Sequence, residues 1–276
     1  MAQNFDSEGY MSRILVFGNE KGGAGKSTMA MHITSALLHS GATVGVMDLD
    51  MRQVSLKRFF ENRTVFSKTH DVTLPMAEIG DIAAHEDITR PGWEKPAFEA
   101  VLDDLKSRFD YVIIDCPGAL TPLSALAHAA ADTLITPLND SYIDFDLLAR
   151  VDPETNAVKG PSIYSEMVWD ARKNRALAGG KPVDWIVARN RLSSLNMHNK
   201  RKLGDALTDL SKRIGFRFAA GLSDRVVFRE LFTQGLTLLD HKLVNSIPSK
   251  MSNVAARQEV RDLVLELKLP DLELAF

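Results

Sequence analysis

The stretch Glu20–Ser27, which reads EKGGAGKS, decides the fold of this chain. It lies between a short apolar run, Ile14–Phe17, and a segment, Ser27–Ser40, whose apolar residues recur at helical spacing. Glycines let backbone N–H groups turn inward around phosphate oxygens, and the positive end of the helix dipole strengthens the same attraction. The order of strand, glycine-rich loop, Gly-Lys-Ser and helix therefore predicts a phosphate-binding loop rather than an empty turn.

Apolar strands alternate with helical patterns along the rest of the chain. The further strands are predicted at Thr43–Asp48, Tyr111–Asp115, Thr133–Thr136 and Asp184–Arg189, and helices at Leu123–Ala131, 163–178, 198–214, 224–233 and 250–267. Such alternation predicts an α/β fold with a mostly parallel sheet and helices on both faces. We expect one P-loop NTPase domain over residues 13–276, preceded by a flexible N-terminal extension, residues 1–12.

Composition excludes several classes of protein. The chain has 276 residues, of which 45% are hydrophobic and 25% charged, and its net charge is only −3, so a disordered chain is excluded. One cysteine, Cys116, cannot form a disulfide framework, and we expect it to be a small buried residue. No apolar run approaches the ~18 residues of a membrane span, and the N-terminus lacks a secretory core. A cytoplasmic location is the expectation.

The loop contains two lysines with different expected roles. Lys26 is placed to neutralise the β- and γ-phosphates, and the Ser27 hydroxyl to bind Mg²⁺. The strict phosphate-loop pattern fails at its first position, where Glu20 replaces glycine and Lys21 follows. Lys21 cannot easily curl onto the phosphates of its own loop, so it either reaches a nucleotide held by a second subunit or is an exposed loop charge. The predicted nucleotide-binding residues of the loop are Gly22, Gly23, Ala24, Gly25, Lys26, Ser27 and Thr28.

Three aspartates follow predicted strands. Asp48 and Asp50 alternate at the end of the second strand, so both lie on one face at its carboxyl end, where ligands bind in open parallel sheets. Asp115 ends the third strand and looks like the Mg²⁺-binding aspartate of a Walker B motif. Any one of them could instead be a helix cap or a turn former.

The loop with its early lysine resembles the deviant Walker A ATPases of the ParA/MinD group. The resemblance implies that Lys21 contacts the partner's phosphates across an ATP-sandwich dimer, so the residues implied to act in catalysis are Lys21, Asp50 and Lys26. It further implies that Asp50 orients the attacking water and that Asp48 supports the Mg²⁺ shell. An asparagine at the end of the fifth strand, Asn190, is implied to bind the base, because an amide offers a donor and an acceptor; a turn role is its alternative.

Later segments are similar to the MipZ branch of that group. They are Asp48–Gln53, Phe59–Arg63, Asn139–Asp146, Val151–Pro153, Arg189–Leu192 and Arg229–Phe232. This resemblance implies a homodimer formed with ATP and Mg²⁺, non-specific binding to duplex DNA, and interaction with a ParB-type centromere-binding protein. It also implies inhibition of FtsZ assembly and a nucleoid-associated distribution graded from the cell poles. A ParA-type partition ATPase and a dethiobiotin-synthetase-like ligase remain as alternatives.

The charge is distributed unevenly along the chain. Residues 186–230 carry ten Lys or Arg against four Asp or Glu, a net +6, which leaves −9 for the remainder. Such a segment is a candidate surface for duplex phosphates, with a solvated helix face as the alternative. The predicted DNA-binding residues are Arg191, Lys200, Arg201, Lys202 and Arg225. By contrast the tail, Val254–Phe276, has a net charge of −2, which argues against anchoring on an anionic membrane.

Overall fold

A computed structural model of the protein describes residues 12–84, 88–139, 144, 146–151, 158–192, 208, 210–245, 247, 250–270 and 272–274. The strands and helices, in chain order, are β1 (Arg13–Phe17), α1 (Lys26–His39), β2 (Val44–Asp48), α2 (Ser55–His70), β3 (Glu78–Gly80), α3 (Glu94–Arg108), β4 (Tyr111–Asp115), α4 (Pro122–Ala130), β5 (Thr133–Asn139), β6 (Ala149–Val151), β7 (Val158–Pro161), α5 (Ile163–Leu177), β8 (Asp184–Leu192), β9 (Arg217–Ser223), α6 (Val226–Phe232) and α7 (Met251–Glu266). Short 3₁₀ helices cover Ile82–Ala84 and Leu238–Lys242.

Seven parallel strands form the central sheet, in the order β3-β2-β4-β1-β5-β8-β9. Strands β6 and β7 pair with each other in an antiparallel ribbon. Because helices cover both faces of the large sheet, β4 is buried along its whole length, and its sequence is apolar up to its last residue, Asp115. The predicted α/β fold with a mostly parallel sheet is therefore confirmed.

The sheet separates two hydrophobic clusters. Helices α1, α2, α6 and α7 pack on one face, where Phe59 and Leu263 are fully buried. Helices α3, α4 and α5 pack on the other, around Phe98 and Tyr164. The prediction of helices on both faces is confirmed.

The position of β1 determines where a ligand can bind. Its neighbours are β4 on one side and β5 on the other, so the chain leaves β1 toward one edge of the sheet and later returns to build the opposite edge. Ligands of open α/β sheets bind outside the carboxyl ends of the strands at such a switch point. The glycine-rich loop follows β1 at this point.

Strand β5 is three residues longer than the sequence predicts. It continues past Thr136 to Asn139, through Pro137. Proline lacks a donor, but pairing with β1 ends at Ile135, so no strand of the described chain lies beside Pro137 on that side to need its N–H. The Asn19 side chain instead donates to the Pro137 carbonyl oxygen at 2.6 Å.

Two strands of the large sheet, β3 and β9, are absent from the sequence prediction. Gly221 interrupts the apolar pattern of β9, and it lies where β8 and β9 shift register. A Cβ at Gly221 would lie 1.2 Å from the Arg189 carbonyl oxygen, so the two backbones approach too closely for any side chain. Most of the predicted helix 198–214 lies outside the described residues, although residues 210–214 are helical.

The C-terminal helix packs into the core. Its apolar stripe, Val260, Leu263 and Val264, continues to Leu267, and all four side chains are buried. The stripe is therefore core packing, as predicted. Among the described helices, none is both long enough and apolar enough to cross a membrane.

Candidate functional site

The glycine-rich loop connects β1 to α1 and has the backbone that its glycines predict. Gly23 and Gly25 have φ values of 74° and 97°, which a residue with a side chain rarely adopts. Gly118, which follows β4, packs on the loop so closely that a Cβ there would lie 2.9 Å from backbone atoms of Gly22. The residue before α1, Gly25, has no side chain with which to cap its first turn, and none of the residues in that turn is acidic. Its N–H groups therefore face the loop with the positive end of the helix dipole, as an anion site requires.

Lys26 lies over this loop. Its ammonium group donates to the carbonyl oxygen of Lys21 at 3.1 Å, and only 7% of the residue is exposed. Burial lowers the pKa of Lys26, while the neighbouring charges of Asp115 and Asp50 oppose that shift. A phosphate anion would stabilise this ammonium group, because a charged hydrogen bond replaces the hydration that burial removes. Neutralisation of the phosphates by Lys26 stays a prediction.

Asp115 lies beside the loop as a buried carboxyl group. Burial, helped by the charge of Asp48, raises the pKa of Asp115 to about 8, and Ser27 and Lys26 oppose the shift. Neither carboxylate oxygen has a well-formed hydrogen bond within the described part of the chain. Two orphaned carboxylate oxygens next to a serine hydroxyl fit Mg²⁺, which takes oxygen ligands and keeps its other positions for water and phosphate. Ser27 and Asp115 would hold the ion.

Replacing Asp115 with asparagine should therefore stabilise the ligand-free protein. The unfolded Asp115 loses its proton near pH 4, whereas the folded one keeps it to about pH 8, so its cost to folding grows as the pH rises through this window. We expect the gain in thermal midpoint of Asp115→Asn to be larger at pH 8 than at pH 5, without Mg²⁺ or nucleotide. Asp103→Asn, at an exposed position of α3, is the control and should change neither midpoint. An equal gain at both pH values would contradict the assignment.

Asp48 accepts more hydrogen bonds from the backbone than the sequence predicts. One of its oxygens accepts the N–H groups of Leu56 and Lys57, at 2.8 and 3.1 Å, and the other accepts from Asp50. Asp48 therefore holds the first turn of α2 against the end of β2. It also lies opposite Asp115 in the strand register. Its predicted support of the Mg²⁺ shell stays a prediction, now alongside a capping role.

Asp50 begins the turn that follows β2. Its Oδ1 atom accepts the N–H groups of Arg52 and Gln53, and Oδ2 forms no hydrogen bond within the described residues. The Asp50 charge acts on both Lys26 and Asp115. The carboxylate is thus close to the phosphate loop with one oxygen uncommitted, which is what orienting a water molecule requires.

Lys21 forms an ion pair that the sequence analysis missed. Its ammonium group binds the carboxylate of Asp144 in the same chain. Asp144 is buried, whereas 41% of the Lys21 side chain is exposed. Asp144 belongs to Asn139–Asp146, a segment that the sequence analysis noted but to which it gave no role. Lys21 therefore lies at the rim of the loop, restrained by its own chain but accessible from outside.

Asn190 reaches the loop from the end of β8. Its side-chain amide donates to the Ala24 carbonyl oxygen at 2.8 Å, and a Cβ at Gly25 would lie 2.0 Å from the same nitrogen. The side chain is buried against the loop, so one of its donors already shapes the loop. Recognition of the base through its remaining groups stays a prediction. Cys116, beside Asp115, is buried and free, as predicted.

The structure describes only part of the predicted DNA surface. Lys200, Arg201 and Lys202 lie outside the described residues, as does the side chain of Arg191. Arg225 donates to both carboxylate oxygens of Glu259, at 2.5 and 3.2 Å. Similar pairs join Arg217 to Asp184 and Arg229 to Asp224. Glu259 and Asp184 come from outside residues 186–230, so the local positive charge is smaller than the count along the chain indicates.

Comparisons with known proteins place the chain in a family. A family model described as ATPase MipZ matches residues 13–271. The chain is 27% identical to the chromosome partitioning protein ParA of Caulobacter vibrioides over 218 residues, which are 64% of this chain and 81% of that protein. It is 26% identical to the septum site-determining protein MinD of Helicobacter pylori over 192 residues, 63% of this chain and 72% of that one.

Solved structures share the fold of this chain. An ATP complex of a McdA variant from Cyanothece has a TM-score of 0.60 at 18% identity, covering 95% of this chain and 98% of that one. A putative plasmid partition protein from Borrelia burgdorferi bound to AMPPNP has a TM-score of 0.57 at 15% identity, covering 94% and 100%. At these identities the likeness establishes the fold. With the family match over nearly the whole length, the chain belongs to the MipZ family, within the ParA/MinD group of P-loop ATPases that act with ATP and Mg²⁺.

Proposed function

We propose that this ATPase is a dimerisation switch, in which ATP joins two copies and hydrolysis separates them. The observation that carries the proposal is the position of Lys21. Its ammonium group is at the rim of the phosphate loop, partly exposed, and bound to Asp144 rather than to its own loop. A γ-phosphate that is contacted from both subunits gives ATP a higher affinity for the dimer than for the monomer, and only such a difference can shift the equilibrium.

The chemistry of each subunit needs positioning and charge neutralisation more than covalent catalysis. Lys26 and the N–H groups of the loop hold the phosphates, and Ser27 and Asp115, with Asp48, hold Mg²⁺. Bound there, Mg²⁺ would supply positive charge for phosphoryl transfer. Asp50 orients the water that attacks. Asn190 contacts the base while it supports the loop at Ala24.

The output of this switch is the location of the dimer. We infer that the dimer binds duplex DNA without sequence preference, interacts with a ParB-type centromere-binding protein, and inhibits FtsZ assembly. The division site would then form where the dimer is scarce, with the protein on the nucleoid in a gradient from the cell poles. Membership of the MipZ family supports this inference, and so do relatives named for partitioning and septum-site determination.

Analytical ultracentrifugation tests the switch directly. The full chain should sediment as a monomer with ADP and Mg²⁺ and as a dimer with a non-hydrolysable ATP analogue. Duplex DNA should co-sediment only with the second sample. A monomer in both nucleotides, at concentrations well above those needed for ATP binding, would contradict the proposal.

A ParA-type partition ATPase is the second candidate function, favoured by the ParA relatives. It shares the ATP dimer and the DNA binding but positions DNA cargo and has no effect on FtsZ. Pelleting of FtsZ polymers, with and without the ATP-bound dimer, distinguishes the two candidate functions. Unchanged polymer mass would favour the partition function.

DNA binding by the dimer should be strongly dependent on salt. Contact with about six phosphates implies a slope near −5 in a plot of log affinity against log salt concentration. Replacing Lys200, Arg201 and Lys202 with alanine should weaken binding and reduce this slope, because fewer counterions are released. The matched control replaces three cations of α3, Lys95, Lys106 and Arg108, with alanine. If the control variant lost as much DNA affinity as the test variant, DNA binding would depend only on the net charge of the protein.

A further inference from the structure

A buried cluster of polar side chains lies directly behind the phosphate loop. The Tyr164 hydroxyl donates to the carbonyl oxygen of Gly18, the first residue after β1, at 2.9 Å. It is also 2.9 Å from the Thr136 hydroxyl and 3.2 Å from Nε2 of His128. Trp185 donates its indole N–H to the Thr136 oxygen at 3.0 Å. All four side chains are buried.

The directions of these hydrogen bonds follow from the available protons. His128 lies 2.6 Å through Nδ1 from the Ser124 carbonyl oxygen, which can only accept, so Nδ1 carries the proton. Burial lowers the pKa of His128, so the ring is neutral and Nε2 is an acceptor. Thr136 accepts from Trp185. Because the Gly18 carbonyl beside Tyr164 can only accept, we assign the Thr136 proton to the Tyr164 oxygen. The single proton of Tyr164 therefore goes to the closer acceptor, the Gly18 carbonyl.

Both backbone polar groups of Gly18 form hydrogen bonds, and its Cα packs against His128. Its N–H donates to the Ile135 carbonyl oxygen of β5 at 3.0 Å, while its own carbonyl accepts from Tyr164. A Cβ at Gly18 would lie 2.3 Å from Nε2 of His128, so only glycine fits. Tyr164 of α5 therefore fixes the backbone of Gly18, directly before the loop begins.

The same helix is tied to the segment that restrains Lys21. Ser162, at the start of α5, donates its hydroxyl to the Leu147 carbonyl oxygen, and Ser165 donates to that of Leu148 at 2.7 Å. The Leu147 N–H in turn donates to the carbonyl oxygen of Asp144 at 3.1 Å. Tyr164 thus joins the entrance of the loop to the backbone that presents Asp144.

We propose that Tyr164 is a positioning residue for ATP binding, which sets the entrance of the phosphate loop through the Gly18 carbonyl. It touches neither phosphate nor metal. Its hydroxyl keeps the loop N–H groups in the phosphate-binding arrangement before the nucleotide arrives, so that less binding energy is spent on ordering them. The inference rests on ATP binding at this loop and not on the DNA, ParB or FtsZ roles.

Tyr164→Phe tests it, because the ring remains while the hydroxyl is lost. The matched control is Tyr111→Phe. Tyr111 is also buried and bonds a backbone carbonyl, that of Pro270, but it begins β4, at the opposite end of the strands from the loop. With fluorescently labelled ATP and Mg²⁺, we expect Tyr164→Phe to raise the Kd about three- to tenfold, as the loss of one buried hydrogen bond implies. Tyr111→Phe should stay within about twofold of the unmodified protein.

Hydrogen exchange of the nucleotide-free proteins gives a second readout. Tyr164→Phe should lose protection at the amides of Gly18–Ser27, whereas Tyr111→Phe should not. Unchanged affinity in Tyr164→Phe, or an equal loss in Tyr111→Phe, would overturn the proposal. If the unmodified protein did not bind ATP at all, the nucleotide assignment itself would fail, which is a different result.

A second pair of variants covers the case in which Tyr164→Phe does not fold. Thr136→Val removes the hydroxyl that orients Tyr164 without contacting the loop, and Thr136→Ser restores it. We expect Thr136→Val to raise the Kd for ATP about twofold and Thr136→Ser to return it to the original value. Equal affinities in the two Thr136 variants would overturn the proposal.

Discussion

Replacing Asp50 with alanine is expected to slow ATP hydrolysis by about 100-fold or more and to leave ATP binding intact. The variant should therefore remain a dimer in ATP for as long as the triphosphate lasts. The reason is that different residues bind the nucleotide and orient the water. Lys26, Ser27 and the loop N–H groups hold the nucleotide, whereas Asp50 lies at the end of β2 with Oδ2 uncommitted among the described residues.

Light scattering after a pulse of limiting ATP measures both the formation of the dimer and its lifetime. The unmodified dimer should decay as ATP is consumed, and the Asp50→Ala dimer should persist. Single-turnover hydrolysis, followed at enzyme excess, gives the rate without contamination by ATP rebinding. A variant dimer that decays as fast as the original would contradict the role of Asp50.

Asp50→Asn separates chemistry from turn structure. Asp50 also accepts the N–H groups of Arg52 and Gln53, so alanine removes a turn as well as a carboxylate. Asparagine can keep both hydrogen bonds through its Oδ1 atom but cannot accept a proton from water. We expect it to hydrolyse ATP as slowly as the alanine variant. Recovery of hydrolysis in Asp50→Asn would show that the turn, and not the charge, is what matters.

The phosphate loop and the strand-end aspartates were predictable because their placement follows from local pattern. A buried parallel strand is a continuous apolar run, and the residue after it must lie at the carboxyl edge of the sheet. Asp48 and Asp115 were therefore expected at the same edge of the sheet. That they lie side by side follows from the pairing of β2 with β4, which the sequence pattern does not give. The capping role of Asp48 was among the alternatives, because an aspartate at a strand end can also cap the helix that follows.

Contacts between distant parts of the chain were not predictable. Asp144 binds Lys21 across 123 residues, and Asn190 binds the Ala24 carbonyl across 166. Periodicity carries no information about which polar groups meet when the segment after β5 and the end of β8 come to lie beside the loop. The same limit explains why the sequence overestimates the local positive charge of residues 186–230. Its sequence count omits Glu259, which α7 brings against Arg225.

Replacing Lys21 with alanine should abolish ATP-dependent dimerisation while ATP still binds. The Lys26 ammonium group and the uncapped first turn of α1 remain, so the affinity of the monomer for ATP should change by less than about threefold. What is lost is the positive charge at the rim, which in the dimer would lie against the partner's phosphates. Sedimentation with a non-hydrolysable analogue should find a monomer. Lys26→Ala is the contrasting variant, and it should not bind ATP at all.

Asp144→Asn distinguishes a contact between subunits from the ion pair within one chain. If Lys21 acts by holding Asp144, the two variants lose the same interaction and should behave alike. If Lys21 acts on the partner's nucleotide, Asp144→Asn keeps the lysine and should still dimerise. It should do so at a lower ATP analogue concentration than the unmodified protein, because the ion pair that competes for the ammonium group is weakened. A dimer that resists Lys21→Ala, or a monomer in both variants, would therefore remove the cross-subunit lysine from the mechanism.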